Sequence, residues 1–180
     1  DGLEETFKVN YLSHYVLLTE LLPLLQKKCQ IFFMGSRAAT WYALDFRDTQ
    51  SVNQYVPMRA YGRSKAMLQM LGVWLSENLE EDRVKVYTID PGTFRSGISR
   101  SRGFWFRSLY KLASWAMRSP KQATSDLVKI LSEEGMDYPS GALVRKGKAI
   151  NLSYTNEDFG NLLQISTKLS GCDIRLSLSS

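Results

Sequence analysis

Cysteine and histidine are scarce in this chain, which limits the metal and disulfide chemistry open to it. Its 180 residues include two cysteines, Cys29 and Cys172, and one histidine, His14. The cysteines have neither the close spacing of a metal site nor the number that a disulfide framework needs. We therefore expect no metal site and two unpaired thiols, and the absence of disulfides favours a reducing compartment.

The chain also lacks an apolar run long enough to cross a membrane. Its most apolar stretch, residues 16–25, is interrupted by Thr19, Glu20 and Pro23, whereas a span needs about 20 apolar residues. The formal net charge is +5, but the basic residues are scattered and match no nucleic-acid-binding module. We expect no nucleic-acid partner, and a location in the cytoplasm or on the cytoplasmic face of an intracellular membrane.

What the chain does contain is enough apolar sequence for one folded domain, with 44% hydrophobic residues. Helical and strand-like segments alternate along it. Helices are predicted over about 4–26, 60–80, 120–134 and 156–170, and strands over about 30–34, 83–89 and 142–144. This alternation predicts an α/β fold with a parallel sheet, helices on both faces, and ligands at the carboxyl ends of the strands.

Tyr61 and Lys65 are the pair that most strongly indicates chemistry. They are one helical turn apart at the start of the predicted helix 60–80, so their side chains share one face. A phenol has a reference pKa of about 10, and a nearby cation or a helix N-terminus favours its ionised form. Lysine supplies the cation and three donors for the hydroxyls of a bound ribose. The pair indicates hydride chemistry with proton transfer, although two exposed residues one turn apart give the same pattern.

Four residues in a fixed order point to a family. Asn10 in the first helix, Ser36 after the first strand, and Tyr61 and Lys65 in the next helix resemble the catalytic tetrad of the short-chain dehydrogenase/reductases. Residues 9–19, Val-Asn-Tyr-Leu-Ser-His-Tyr-Val-Leu-Leu-Thr, are similar to the helix that carries the family's asparagine. The resemblance implies a Rossmann-like doubly wound parallel sheet.

Two further segments extend the resemblance from residue 1 to about residue 171. Residues 90–96, Asp-Pro-Gly-Thr-Phe-Arg-Ser, resemble the family's Pro-Gly turn, with Ser96 in the place usually held by threonine. Residues 44–46, Leu-Asp-Phe, together with Tyr55, are similar to the branch that contains retinol dehydrogenases and the WW-domain oxidoreductase.

The resemblance implies a role for each tetrad residue. Tyr61 is expected to give a proton to the substrate oxygen in reduction and to take it in oxidation. Lys65 is expected to lower the pKa of Tyr61 and to hold the nicotinamide ribose, and Ser36 to hold the substrate oxygen. Asn10 is expected to hold a water that links Lys65 to solvent. The nicotinamide end of the cofactor is expected to contact Pro91, Gly92 and Ser96.

Two neighbours of the tetrad are interpreted differently. His14 lies one turn after Asn10 and suggests a proton shuttle, but we expect a packed histidine. Arg37 replaces the small or polar residue that the family usually has after its serine, and we expect it to meet an acidic group of the substrate.

A glycine-rich turn for the cofactor's pyrophosphate is missing. The twelve glycines are scattered, and none opens a helix in the family's phosphate-binding pattern. The choice between NAD and NADP therefore cannot be read. We expect residues 1–180 to be the carboxyl-terminal catalytic half of one Rossmann-like domain, with the cofactor-binding half upstream, and we expect this segment alone to bind dinucleotide poorly and to be inactive.

Two surfaces suggest partners. The basic segment between Arg100 and Arg118 carries aromatic residues at helical spacing and is expected either to cover the substrate pocket or to lie on a membrane surface. Residues 66–75 are apolar nearly all round, so one side of that helix is expected to face the sheet and the other a partner. We expect a possible homodimer through this helix and residues 10–26.

Two functions of different classes follow. The first is an NAD(P)-dependent oxidoreductase that acts on a lipophilic alcohol or carbonyl, such as a retinoid or steroid. The second is a non-catalytic truncated product that binds other subunits. An epimerase or dehydratase of the extended relatives is disfavoured, because too little chain follows the Pro-Gly turn for their sugar-nucleotide domain.

Overall fold

The architecture is an open four-stranded sheet packed against helices. The computed structural model describes residues 2–25, 28–92, 128 and 138–174. Its strands, in the spatial order β1-β2-β3-β4, are β1 (Cys29–Met34), β2 (Val84–Asp90), β3 (Leu143–Arg145) and β4 (Lys148–Ile150). The first three run parallel and β4 is antiparallel to β3. The predicted α/β fold with a parallel sheet is confirmed, and the three predicted strands are its three parallel ones.

The strand that the sequence did not predict is β4. It is joined to β3 by a two-residue turn in which Lys146 and Gly147 both have positive φ, at 52° and 71°. Positive φ at both central residues is the requirement of a type I′ hairpin turn. Lysine is not one of the usual first residues of that turn, so the hairpin was not visible in the sequence.

The amino-terminal helical region is divided rather than continuous. It consists of α1 (Glu5–Phe7), a π-helical segment (Lys8–Leu12), α2 (Ser13–Leu21) and a 3₁₀ turn (Leu22–Leu24). The predicted single helix over 4–26 was therefore too simple. Pro23 lies in the terminal 3₁₀ turn, where the chain leaves the helix.

The two faces of the sheet carry different apolar clusters, as the alternation of side chains along a strand requires. Phe33, Val84 and Val86 join the main core with α1, α2 and the following helices. Tyr87, Ile89 and Val144 form a second cluster with Phe32, whose ring stacks on Tyr87 at 5.6 Å between centroids. Both faces of the strands are thus apolar, which is typical of a parallel sheet covered on two sides.

Helix α3 (Pro57–Asn78) runs through the middle of the main core. It begins at Pro57, three residues before the predicted start, because proline is well suited to the first helical position. Residues 66–73 are all buried, and the helix that contains them packs against the sheet, α1, the π-helical segment and the last helix. The chain itself therefore covers the segment that was expected to need a partner surface.

The last helix, α4 (Asn156–Ser170), matches the prediction at both ends. Thr155 and Asp158 form a capping box at its start, and Gly171 adopts a left-handed φ of 71° at its end. Tyr11 and Tyr15 of the first helical region are hydrogen-bonded to Ser166 and Thr167. These bonds join the two ends of the described chain.

Several expectations lie outside the described residues. They concern the helix over 120–134, the segment between Arg100 and Arg118, and Ser96. Within the described residues, no helix is long and apolar enough to cross a bilayer, and no group of three or more potential metal ligands occurs.

Candidate active site

The carboxyl ends of β1 and β2 lie side by side and form the edge on which the candidate residues meet. Met34 pairs with Ile89, and the Gly35 amide donates to the Ile89 carbonyl at 2.8 Å. Ser36 and Pro91 each come two residues after that pair. The sheet register therefore brings the serine loop and the Pro-Gly turn to the same edge.

Ser36 opens a short 3₁₀ turn (Arg37–Thr40) directly after β1. Its Oγ accepts a hydrogen bond from the Ala38 amide at 3.2 Å, and its carbonyl accepts one from Gln69 Nε2 of α3 at 3.3 Å. The side chain is half-buried. A hydroxyl that accepts from the backbone keeps its own proton available for another oxygen.

Lys65 ties α3 across the end of β1. Its Nζ donates to the Met34 carbonyl at 2.9 Å and lies 6.0 Å from the centroid of the Tyr61 ring. Burial lowers the pKa of Lys65. The structure therefore places the phenol ring and the ammonium together. Met34, whose carbonyl binds the ammonium, is two positions before Ser36 in the sequence.

One part of the sequence argument was wrong. Because α3 begins at Pro57, Tyr61 is its fifth residue and Lys65 its ninth. The helix macrodipole acts mainly within the first turn. Lys65, rather than the helix N-terminus, is the positive group that the structure sets beside Tyr61.

Gly62 allows α3 to reach the serine loop. A Cβ on this residue would lie 2.6 Å from the Ala38 carbonyl oxygen and 2.9 Å from Cδ2 of Tyr42. Both distances are shorter than packed atoms tolerate, so only glycine lets the helix and the 3₁₀ turn approach this closely. The approach holds the serine loop next to Tyr61.

Asn10 lies in the π-helical segment and connects to the same helix. Its Nδ2 donates to Ser64 Oγ at 3.1 Å, and Ser64 Oγ donates to the Tyr61 carbonyl at 2.8 Å. Ser64 is fully buried. Asn10 therefore supports the backbone of Tyr61 through Ser64, and its expected hold on a water beside Lys65 stays a prediction. π-Helical turns occur often at functional sites.

His14 is near the ammonium but does not bond it. It is half-buried, and its Nδ1 lies 3.4 Å from Ser13 Oγ. Burial first, and then the positive charge of Lys65, lower the pKa of His14, while a backbone hydrogen bond with Val9 acts in the opposite direction. A histidine that is held neutral beside a lysine fits a packing role.

The Pro-Gly turn follows β2 and requires a backbone conformation that glycine adopts without strain. Gly92 has a φ of 71°, in the left-handed region. Its amide donates to Asp90 Oδ1 at 2.8 Å. Pro91 and Gly92 thus lie at the predicted edge, whereas Arg37 is exposed beside Ser36 and its expected contact with an acidic substrate group stays a prediction.

Comparison with known proteins gives relatives of one kind, although no protein-family model matches. The chain is 28% identical over 146 residues to retinol dehydrogenase 14 of Mus musculus, covering 78% of this chain and 44% of that protein. It is 26% identical over 154 residues to polyprenol dehydrogenase of Mus musculus, covering 81% and 46%. It is 27% identical over 132 residues to the WW domain-containing oxidoreductase of Drosophila melanogaster, covering 69% and 32%. The chain therefore spans less than half the length of these relatives.

Solved structures show the same fold. The crystal structure of an uncharacterized protein from Mycobacterium Paratuberculosis has a TM-score of 0.68 and 19% identity, covering 98% of this chain and 62% of that one. A dehydrogenase/reductase from Sinorhizobium meliloti 1021 has a TM-score of 0.54 and 19% identity, covering 77% and 50%. The chain is similar in sequence and in fold to short-chain dehydrogenase/reductases. Its curated relatives confirm the resemblance to the retinol dehydrogenase and WW-domain oxidoreductase branch.

Sequence reasoning missed the residues that support this family's tetrad here. Ser64 and Gln69 connect α3 to Asn10 and Ser36, and Asp90 and Arg145 form an ion pair behind the Pro-Gly turn. Ser64 and Asp90 are direct neighbours of Lys65 and Pro91 in the sequence, which was the only available signal. Gln69 and Arg145 are distant in sequence from Ser36 and Asp90, which they contact.

A cleft of about 500 Å³ includes Ala66 and Met70 of α3 in its lining. The loop after Ser36 lines it with Trp41, Tyr42 and Phe46, and it also meets Tyr154. None of the four tetrad residues lines this cleft. It is therefore not the place where hydride transfer is expected.

Proposed function

We propose that the protein containing this chain is an NAD(P)-dependent oxidoreductase that acts on a lipophilic alcohol or carbonyl. The observation that carries the proposal is the bond from Lys65 Nζ to the Met34 carbonyl, with the Tyr61 ring 6.0 Å away. This arrangement brings a proton donor, a cation and the Ser36 loop together at the carboxyl ends of the parallel strands, where ligands bind. The relatives named as dehydrogenases and oxidoreductases support the same reaction class.

The residues present fit the nicotinamide end of a dinucleotide. An ammonium has three donors, and the bond to the Met34 carbonyl takes one, so Lys65 retains donors for ribose hydroxyls. Pro91 and Gly92 would border the ring from the end of β2, and Ser96 from the segment that follows. When bound, the nicotinamide supplies or accepts the hydride. Neither NAD nor NADP is favoured by these residues, because the phosphate-distinguishing position is not among them.

The protein's own contribution is the handling of one proton and one oxygen. Ser36 Oγ would donate to the substrate oxygen and fix its position. Tyr61 would give its proton to that oxygen during reduction and take it back during oxidation, with the Lys65 ammonium beside its ring. Asn10, through Ser64, holds the backbone turn that carries Tyr61.

The lipophilic substrate is proposed from the relatives' names, retinol and polyprenol dehydrogenases. Both names describe long, apolar alcohols. The segment between Arg100 and Arg118 is proposed to cover the apolar part of such a substrate, or to lie on a membrane that contains it. Flotation of the full-length protein on liposomes, with and without that segment, distinguishes the two.

Replacing Tyr61 by phenylalanine tests the proposal. In the full-length gene product, Tyr61→Phe should lower kcat by about 10²- to 10⁴-fold, the usual contribution of a general acid or base, with little change in cofactor affinity. Tyr55→Phe is the matched control, because Tyr55 is 56% exposed in the loop before α3. Equal turnover by Tyr61→Phe and Tyr55→Phe would refute the assignment.

A second candidate is a non-catalytic subunit-binding module. It is favoured by apolar side chains exposed on the first helical region, including Leu17 at 55% and Leu24 at 73%. Exposed apolar patches often mark protein interfaces. Light scattering of the chain and of Leu17→Glu separates the candidates: a dimer that the glutamate dissociates, combined with no dinucleotide binding, favours this module. These exposed side chains lie in the part of the expected homodimer surface formed by residues 10–26, whereas residues 66–73 are buried within the chain itself.

A further inference from the structure

The ends of β2 and β3 are joined by an ion pair that has no part in the tetrad. Asp90 and Arg145 are partners in the parallel register, and Arg145 Nε donates to Asp90 Oδ2 at 2.7 Å. The Asp90 side chain is 2% exposed and that of Arg145 is 25% exposed. A carboxylate this buried depends on its counter-charge, because water cannot solvate it.

The second oxygen of the same carboxylate holds the Pro-Gly turn. Asp90 Oδ1 accepts the Gly92 amide at 2.8 Å. The carboxylate is therefore divided between two donors, the guanidinium on one oxygen and the turn amide on the other. A hydrogen bond to an ionised oxygen is about twice as strong as one between neutral groups, so the charge on Asp90 matters for the turn.

The hydrogen bonds of the Arg145 guanidinium are not all satisfied. Its Nη2 is buried and has no hydrogen-bond partner within the described residues. A buried donor without a partner is unfavourable and needs a reason. Asp90 is the described contact that accounts for the position of the guanidinium.

We propose that Arg145 is a positioning residue. By holding the Asp90 carboxylate in its orientation, it fixes Gly92, and so the Pro91–Gly92 turn, at the edge where Lys65 and Ser36 lie. That the turn borders a nicotinamide rests on the proposed function. That Arg145 fixes the turn through Asp90 does not, and the two parts are tested separately.

The structural part is tested by amide hydrogen exchange in the full 180-residue chain, followed by NMR. Arg145→Met should speed exchange of the Gly92 amide at least tenfold, because Asp90 Oδ1 is no longer held against that amide once the bond from Arg145 is lost. Arg145→Lys should restore part of the protection, since it keeps the charge but not the planar guanidinium. Lys148→Met is the control, because it removes an exposed cation from neighbouring β4 and should leave Gly92 unchanged.

The double variant Asp90→Asn with Arg145→Met gives the decisive comparison. The asparagine carbonyl can accept the Gly92 amide without any counter-charge, so protection should return to within about threefold of the unmodified chain. A role in sheet stability alone predicts no such rescue. Gly92 exchange that is unaffected by Arg145→Met overturns the proposal, and so does a double variant that is no better protected, or no better folded, than Arg145→Met.

The functional part is measured on the full-length gene product. Arg145→Met should raise the cofactor KM about tenfold with a smaller effect on kcat, and the double variant should reverse the change. If Gly92 responds as expected but the unmodified protein transfers no hydride to or from any alcohol or carbonyl, the proposed function fails while the positioning role stands. If hydride transfer is present and the cofactor KM does not follow Gly92 protection, the link between the turn and the cofactor is overturned.

Discussion

Gly62→Ala should destabilise the protein even though the same substitution elsewhere in a helix stabilises it. Gly62 lies inside α3, where replacing glycine by alanine is ordinarily worth about 1 kcal/mol. Here the new methyl would lie 2.6 Å from the Ala38 carbonyl oxygen. Since that oxygen belongs to the backbone, the serine loop or the helix must move to admit the methyl.

The size of the effect follows from these opposing contributions. Overpacking a filled site costs about 1 to 3 kcal/mol, and the contact with Tyr42 at 2.9 Å adds a second obstruction. After the helix-propensity gain, we expect a net loss of about 1 to 2 kcal/mol. Gly160→Ala in α4 is the matched control, because its Cβ would meet nothing within 4 Å. That variant should gain about 0.5 to 1 kcal/mol.

Urea denaturation followed by circular dichroism measures both variants under identical conditions. With m values of about 1 to 3 kcal/mol/M, the two midpoints should differ by about 0.5 to 3 M, with Gly62→Ala the lower. The displaced loop begins at Ser36, so turnover of the full-length gene product should fall in Gly62→Ala and not in Gly160→Ala. A Gly62→Ala variant as stable as Gly160→Ala would refute the close approach of α3 to the serine loop.

Four further predictions concern other contacts. Because the native pKa of His14 is below that of the unfolded chain, unfolded molecules bind more protons, and stability should fall as the pH drops through about 6.5; His14→Gln should flatten that slope. Lys65→Met should raise the pKa of His14 in an NMR titration, and no change would show that the two side chains are not neighbours. Tyr11→Phe should cost about 1 kcal/mol in urea denaturation through the lost bond to Ser166, and a neutral result would make that bond irrelevant. Thr155→Ala should cost about 1 kcal/mol by the same assay through loss of the capping box, whereas Thr155→Ser, which keeps the hydroxyl, should cost far less.

The sequence predicted those elements whose ends depend on local chemistry. The bounds of α4 were right because Thr155 and Gly171 are strong cap signals in the chain itself. The parallel strands were found as short apolar runs. The start of α3 was predicted three residues too late, although Pro57 suits the first helical position, and β4 was missed because its turn uses lysine at a position of positive φ.

The candidate site was predicted in outline but not in its supports. The order of Asn10, Ser36, Tyr61 and Lys65 is a property of the sequence and could be recognised. Which atoms meet is not, because it depends on how α3 lies across the end of β1. The bonds from Asn10 to Ser64 and from Arg145 to Asp90 join residues 54 and 55 positions apart, and no local pattern predicts such pairs.

The widened turn at Lys8–Leu12 sets how the first helical region tolerates changes in length. The Ser13 amide donates to the Lys8 carbonyl, five residues earlier, so this turn holds one residue more than an α-helical turn. Deleting a single residue here would let the region become one regular helix without rotating its two parts, because the wide turn already holds the extra residue within one turn. Phe7 and Tyr15, both buried now, would keep facing the core, and the change would be confined to the turn that carries Asn10. In an alignment of related sequences, a one-residue gap at this point would therefore mark chains that lack the wide turn around Asn10.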